Sequence, residues 1–311
     1  MIDVATFGET MAALRADGPV RLGGTMRLSV AGAESNVAIG LARLGHRVRW
    51  TGLVGEDETG ELVLRTLRAE GVDVTHARAV ATGPTGLMLL EQRADELTRV
   101  IYHRAGSAGS HLSPADVLPA LDPPPRLLHV TGITPALGPA PAAAVRAAVK
   151  CGARVTLDVN HRSRLWGRPE AAAALRPLVP HCAVVVASED ELDLVAPPGA
   201  LTEEEQVAAL LASGVTEVVV KRGAAGAATY TATESAHRPA RRVRVADTVG
   251  AGDAFVAGYL SAVLDDLDLA ARLDRAVTTA AFAVASPGDW EGLPARHELH
   301  LLDSLPGTTL R

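Results

Sequence analysis

The sequence predicts an α/β protein: a mostly parallel sheet covered by helices on both faces, with a small β lid beside it. Three observations carry this. Short apolar runs alternate with helix-patterned stretches along most of the chain. Several of these runs are apolar throughout, as strands buried on both faces are. Two segments, 11–30 and 85–104, break the alternation with polar, strand-like sequence.

The elements follow in order. Val4–Gly8 reads as a short strand. The segment 11–30 is polar and turns at Gly23-Gly24. Glu34–Leu44 carries Val37, Leu41 and Leu44 on one helical face, and Gly45 stops it. Arg47–Val54 reads as one strand, and Asp57 caps a helix running to Glu70. In 85–104, Gly86–Leu90 and Thr98–Tyr102 flank a charged turn at Glu91–Glu96. Neither lid segment has apolar residues enough for its own core, so the expectation is one domain, 1–311, bearing a lid. Pro141–Lys150 reads as a helix, then Arg154–Asp158 and Ala183–Ala187 as strands, the latter followed by acidic helix starts. Thr202 and three glutamates open another helix, with negative charge where the helix dipole favours it. Val215–Val220 and Arg242–Val245 read as strands, and Ala251–Leu264 and Leu269–Ala285 as helices. The valines alternating with arginines near 238–244 suggest an edge strand.

Composition narrows the function classes. The net charge of −6 argues against broad binding to nucleic acid or anionic membranes. Nine aromatic residues in 311 are too few for a site built on rows of stacking rings. Of the thirty Lys and Arg residues, Lys150 and Lys221 are the two lysines, and each follows a valine. A Walker phosphate loop needs Gly-Lys followed by Ser or Thr, so it is excluded. Cys151 and Cys182 lack the spacing of a zinc site or a disulfide framework. With a strand pattern starting at Met1 and no apolar span of membrane length, the expected location is the cytoplasm.

Parallel sheets bind ligands beyond the carboxyl ends of their strands. Gly8-Glu9, Asp158-Val159-Asn160, Ser188-Glu189 and Lys221-Arg222-Gly223 fall there. The sharpest stretch is Asp247-Thr248-Val249-Gly250-Ala251-Gly252-Asp253, opening an apolar helix. Glycines at a helix start let amide N–H groups converge on an anion. A carboxylate beside that anion hole is repulsive unless its task is to take a proton. Asp253 therefore fits a general base for phosphoryl transfer onto a hydroxyl. On these residues alone, a plain glycine turn with Asp253 as helix cap competes with this reading. A dinucleotide fingerprint would need glycine where Phe255 stands.

Asp-Thr-x-Gly-Ala-Gly-Asp resembles the C-terminal signature of the ribokinase-like, phosphofructokinase-B-type sugar kinases. Gly32-Ala33-Glu34-Ser35-Asn36-Val37-Ala38 and Val54-Gly55-Glu56-Asp57-Glu58-Thr59-Gly60 resemble two further stretches of that family, in the same order. The resemblance implies a three-layer α/β/α sandwich with a β lid, and transfer of the ATP γ-phosphate to a sugar hydroxyl with Mg²⁺. Asp253 then corresponds to the catalytic base, and Gly250, Ala251 and Gly252 to the anion hole. Lys221 or Arg222, with Gly223 and Gly226, falls where the family holds ATP phosphates. Ser188 stands in place of the family's Asn, and Glu191 corresponds to the glutamate near Mg²⁺. Asp247 corresponds to a ligand of a monovalent cation such as K⁺ in some relatives. A homodimer paired through its lids, or a higher homo-oligomer, is also implied.

Within the family, Gly32-Ala33-Glu34-x-Asn36 is similar to the 2-keto-3-deoxygluconate kinases. So are Tyr102-His103-Arg104-Ala105-Gly106-Ser107 and Asp158-Val159-Asn160-His161-Arg162. This resemblance implies sugar contacts from Gly32, Ala33, Asn36, Tyr102, Arg104 and Arg162, with Thr134 on the pocket wall. Arginine suits a sugar carboxylate because its fork donates two parallel hydrogen bonds. One residue departs: Met88 stands where that group carries a lid tyrosine. The expectation is an ATP-dependent kinase of 2-keto-3-deoxygluconate or a related keto-sugar acid. A neutral-sugar kinase such as a fructokinase, and a non-catalytic sugar- or nucleotide-binding protein, are the alternatives. His297-Glu298-Leu299-His300 is one residue short of a zinc motif and reads as surface helix.

Overall fold

The computed structural model describes residues 1–94 and 97–303. Fourteen strands are described: β1 Val4–Phe7, β2 Met11–Ala16, β3 Met26–Ala31, β4 Val48–Thr51, β5 Leu53–Gly55, β6 Arg78–Val80, β7 Leu87–Ala94, β8 Leu97–His103, β9 Leu127–Thr131, β10 Arg154–Asp158, β11 Cys182–Ser188, β12 Glu217–Lys221, β13 Ala227–Tyr230 and β14 Ser235–Arg238. The helices are α1 Ala33–Arg43, α2 Glu58–Ala69, α3 Pro114–Val117, α4 Ile133–Ala136, α5 Pro139–Ala148, α6 Arg168–Leu175, α7 Glu203–Ala212, α8 Ala251–Leu264 and α9 Leu269–Val284.

The main sheet has the order β14-β13-β12-β11-β10-β9-β1-β4. It is parallel from β12 to β4, and β13 and β14 join antiparallel at one edge. Successive side chains on its strands serve opposite cores, because strand side chains alternate faces. Phe7, Val185, Val218 and Val220 enter one core with Val145 of α5 and Leu175 of α6. Val4, Val184, Val186 and Val219 enter the other with Leu41 of α1, Tyr259 and Leu260 of α8, and Leu273 of α9. Apolar runs without alternation are the consequence, and they are what makes the parallel sheet legible. The expected three-layer sandwich is present.

The lid is a four-stranded sheet, β3-β2-β7-β8, with β2 and β7 parallel and its other pairs antiparallel. Met11, Ala13, Ala31, Met88 and Leu90 form its apolar inner face, with Tyr102 and Val249 packed against it. Val249 immediately precedes the predicted anion hole, so the lid faces that stretch.

Several expectations need correction. Arg47–Val54 is not one strand. The chain breaks at Gly52, where a Cβ would stand 2.3 Å from the Trp50 ring; β4 stays in the main sheet and β5 leaves it for β6. The basic run is not an edge strand either. β14 ends at Arg238, Pro239 offers no ladder donor, and residues 239–245 are irregular. Arg241 pairs instead with Asp274 and Asp303. The lid strands are longer than expected: Glu91–Arg93 belong to β7, and residues 95–96 of the expected turn lie outside the described residues. The acidic run after β11 yields only a short 3₁₀ turn, Leu192–Leu194.

Candidate active site

The carboxyl ends of β1, β9, β10, β11 and β12 open on one edge of the sheet, and helix α8 starts there. At its entrance Gly250 adopts φ +78°, the left-handed region. A Cβ at this position would lie 2.0 Å from the Asp289 carbonyl oxygen. Only glycine meets both conditions. Gly250→Ala is expected to cost about 1–2 kcal/mol for the backbone conformation, with a further penalty for displacing the Asp289 backbone. A urea midpoint equal to that of the wild type would contradict this. Next come Ala251 and Gly252, whose first-turn position leaves amides without intrahelical acceptors. The dipole of a fourteen-residue helix favours an anion here.

Asp253 lies in the same turn and is buried. Its Oδ2 accepts a 2.8 Å hydrogen bond from Asn36 Nδ2, across 217 residues of sequence. Burial pushes the Asp253 carboxyl up to about 6; the Asn36 hydrogen bond and the Arg162 charge oppose this. A carboxylate poised near neutrality is suited to accept a proton. Asn36 itself keeps an unpartnered, buried Oδ1. A buried acceptor without a donor is costly, and a ligand hydroxyl would satisfy it. Gly32 and Ala33 begin the same helix, α1, with Gly32 packed against the Glu9 backbone.

Lys221, at the end of β12, reaches toward the start of α8. Its Nζ would stand 3.9 Å from a Cβ placed at Gly252. It donates to Asp158 Oδ1 at 2.8 Å and Oδ2 at 3.1 Å. Burial pulls the ammonium pKa down, but Asp158, Glu191 and Asp253 more than offset this, and the net shift is upward. Lys221 is thus firmly cationic. Arg222, the other candidate, is instead engaged by Glu189, Glu203 and Tyr230. Glu191 accepts from the His161 amide at 2.7 Å and the Ser188 amide at 2.8 Å. The Ser188 hydroxyl is spent on Asp190. Gly223 opens the turn after β12 and Gly226 closes it, against the Arg238 carbonyl.

Among the described residues no group of three or more His, Cys, Asp or Glu could hold a metal ion. Besides Asp253, the carboxylates around Lys221 are Asp158 and Glu191. This donor set fits Mg²⁺ held mainly by nucleotide phosphates and water, with one or two carboxylates assisting.

On the sugar side, Arg162 is exposed to the cleft, and its charge is felt by Asp253. Arg164, two residues on, donates to the Val100 carbonyl of lid strand β8 at 2.5 Å, linking this loop to the lid. Tyr102 and Met88 are directly paired across β8 and β7. The Arg104 guanidinium lies 5.6 Å from the Tyr102 ring centroid. Arg104 is not a free cation: it pairs with the buried Glu9 at 2.5 Å. Ser107 donates to the other Glu9 oxygen. The Thr134 hydroxyl is likewise committed, to Glu34 Oε1 at 2.6 Å, which Thr131 also reaches. Burial raises the Glu34 pKa against those two hydrogen bonds. Thr134 therefore supports the wall and has no free donor.

Asp247 was expected to face a monovalent cation. It faces a guanidinium: Arg15 of β2 lies 2.5 Å from Asp247 Oδ2 and 3.2 Å from Asp289 Oδ1. Asp289 is buried, which pushes its carboxyl up to about 7 against the pull of Arg15. Glu9, Asp158 and Glu34 were readable only as strand-end or motif residues without roles. Arg15 and Asp289 carried no sequence signal at all.

The profile of pfkB family carbohydrate kinases matches residues 1–296. A 2-dehydro-3-deoxygluconokinase of Bacillus subtilis is 36 % identical, over 96 % of this chain and 94 % of that protein. One from Thermoproteus tenax is 37 % identical, over 96 % and 93 %. An Escherichia coli structure described as a ribokinase II in complex with ATP and Mg²⁺ superposes with a TM-score of 0.90 at 27 % identity, covering 97 % of this chain and 99 % of that one. Similarity over nearly the whole chain removes the non-catalytic alternative. The chain belongs to the pfkB family and is an ATP-dependent carbohydrate kinase.

Proposed function

We propose that this kinase phosphorylates 2-keto-3-deoxygluconate (also called 2-dehydro-3-deoxygluconate) or a closely related keto-sugar acid, at the primary hydroxyl farthest from the carboxylate. The observation that carries this is one pairing of groups. Asp253, a buried base held by Asn36, sits within the field of Arg162, an arginine with no carboxylate partner among the described residues. A sugar acid fills that space with its hydroxyl at Asp253 and its carboxylate at Arg162. The names of the two bacterial and archaeal relatives support the same substrate.

In this reading Asp253 takes the hydroxyl proton as the oxygen attacks the γ-phosphorus in line. The bond from that phosphorus to the β–γ bridging oxygen breaks, and ADP leaves. The Gly250–Gly252 amides and Lys221 stabilise the negative charge on the transferring group. Mg²⁺ on the phosphates, when bound, neutralises further charge. The lid, carrying Tyr102 and Met88, excludes water that would compete as acceptor. Product analysis tests the position of transfer: phosphorus should couple to the terminal methylene protons. Phosphate on a ring-carbon hydroxyl, or ATP hydrolysis alone, would overturn it.

A neutral-ketose kinase is the second reading. It is favoured by the Glu9 pairing that removes Arg104 as a carboxylate partner, and by Met88, which has no hydroxyl to donate. We further propose a homodimer paired through the lids. Exposed Leu28 and Met26 on the lid's edge strand β3 support it. Light scattering giving a monomer mass would contradict that pairing.

The pH dependence follows from Asp253. The base acts only when ionised, and its pKa is raised to about 6. The kcat/KM profile should therefore fall tenfold per pH unit below about 6 and be flat just above. An acid limb that breaks near pH 4 would contradict the assignment.

A further inference from the structure

The resemblance implies a monovalent cation beside Asp247, yet a side chain of this chain already stands there. Arg15 projects from lid strand β2 into a largely buried position, its side chain 17 % exposed. Its two terminal nitrogens divide between two carboxylates, Asp247 and Asp289, which are 6 % and 9 % exposed. Both carboxylates belong to segments that shape the anion hole. The other oxygen of Asp247 accepts from the Val249 amide at 3.0 Å, one residue before Gly250. The backbone of Asp289 packs directly on Gly250. The Ala246 and Asp247 amides both reach the Val284 carbonyl. The guanidinium therefore ties the loop before α8 to the loop after α9.

We propose that Arg15 is a tethered replacement for the monovalent cation, so that this kinase needs no K⁺ or Na⁺ to hold its anion hole. Two physical points support it. The guanidinium is permanently charged and presents two donors at fixed spacing, so one residue can neutralise and space two carboxylates. An inorganic cation at Asp247 would have to displace a charge-assisted hydrogen bond and sit beside a fixed positive charge. The lid origin adds a consequence. Met11, Ala13 and Arg15 alternate along one face of β2, so a strand of the lid also carries the charge that orders the phosphate site. Arg15 acts through Asp247, Asp289 and Gly250, and is a positioning residue.

This proposal rests on the kinase reading for its rate measurement, and its stability measurement does not. Turnover is compared in chloride salts of K⁺, Na⁺ and tetramethylammonium at equal ionic strength. The wild type should give kcat/KM values equal within twofold in all three. Arg15→Ala should lose at least about tenfold in tetramethylammonium and regain most of it, saturably, with K⁺. Arg15→Lys should remain indifferent to the salt. Thermal unfolding supplies the independent arm. The wild-type Tm should be the same in K⁺ and tetramethylammonium, and K⁺ should raise the Tm of Arg15→Ala, as a ligand that binds only the folded state does. Wild-type activation or stabilisation specific to K⁺ would overturn the proposal. So would an Arg15→Ala enzyme that is equally active in every salt, or one whose loss no cation restores. If Arg15→Ala does not fold in any salt, Arg15→Gln takes its place, and the wild-type comparison still decides.

Discussion

Replacing Asp253 by Asn is expected to lower kcat by roughly 10²–10⁴, the usual worth of a general base. The fold should not suffer. Asn keeps the shape and can accept from Asn36 through its amide oxygen, preserving the link between α1 and α8. Stability should rise, and the sign follows from the raised pKa. Burial raises the Asp253 carboxyl from its ordinary 3.8 to about 6 in the folded chain. The folded chain therefore holds this proton more tightly than the unfolded chain. The ionised carboxylate costs stability above about pH 6 and costs nothing below the unfolded value. At pH 7 the cost is at most about 3 kcal/mol, taking 1.36 kcal/mol for each pKa unit. Asp253→Asn should thus melt at or above the wild-type temperature while turning over far more slowly. The acid limb of kcat/KM should vanish with it. A variant that keeps most of the wild-type rate, or one that is inactive because it is unfolded, would contradict this picture of a buried base.

The second large effect is expected at Arg162. Truncating one partner of a buried, hydrogen-bonded charge pair costs about 2–5 kcal/mol, and the substrate carboxylate becomes buried when the lid closes over it. Arg162 is exposed before substrate binds, so the lower part of that range applies. Arg162→Met should reduce kcat/KM for the keto-sugar acid by roughly 30–150-fold, taking about 2–3 kcal/mol. The same variant should change turnover of an uncharged ketose by less than about threefold. The loss should appear mainly in KM, because the carboxylate lies far from the reacting hydroxyl and binds equally in ground and transition states. Equal losses for acid and neutral sugars would show that Arg162 acts on the phosphoryl group or on the fold.

Much of the candidate site was legible because its parts are local. A glycine-rich helix start followed by an aspartate puts the proposed anion hole and base within one turn, and α8 begins where that pattern places it. Asn36 was readable from its motif, although its partner lies 217 residues away. What stayed hidden is what depends on tertiary pairing. Arg104 looked like a free carboxylate ligand, and nothing nearby in sequence signals that Glu9 holds it. Arg15 and Asp289 are 274 residues apart, and neither belongs to a local pattern. Strand β9 escaped notice because Leu127–Thr131 is short, polar at His129, and follows three prolines. Its place beside β1 and β10 is set by burial of Leu128 and Val130. Pattern also misled at 239–245, where arginine and valine alternate as in a strand. Without a ladder partner and directly after Pro239, that pattern forms no sheet.

The arginine reasoning and the doubt raised by Met88 meet in substrate choice. A site in which Arg162 has no carboxylate partner among the described residues, and Met88 rather than a second tyrosine faces Tyr102 on the lid, should still read charge first and hydroxyl pattern second. ADP release from MgATP, measured with 2-keto-3-deoxygluconate, fructose, ribose and nucleosides at equal concentration, tests this most directly. The keto-sugar acid should exceed every uncharged acceptor by at least about 100-fold in kcat/KM. A preference for fructose, ribose or a nucleoside over the acid would contradict it.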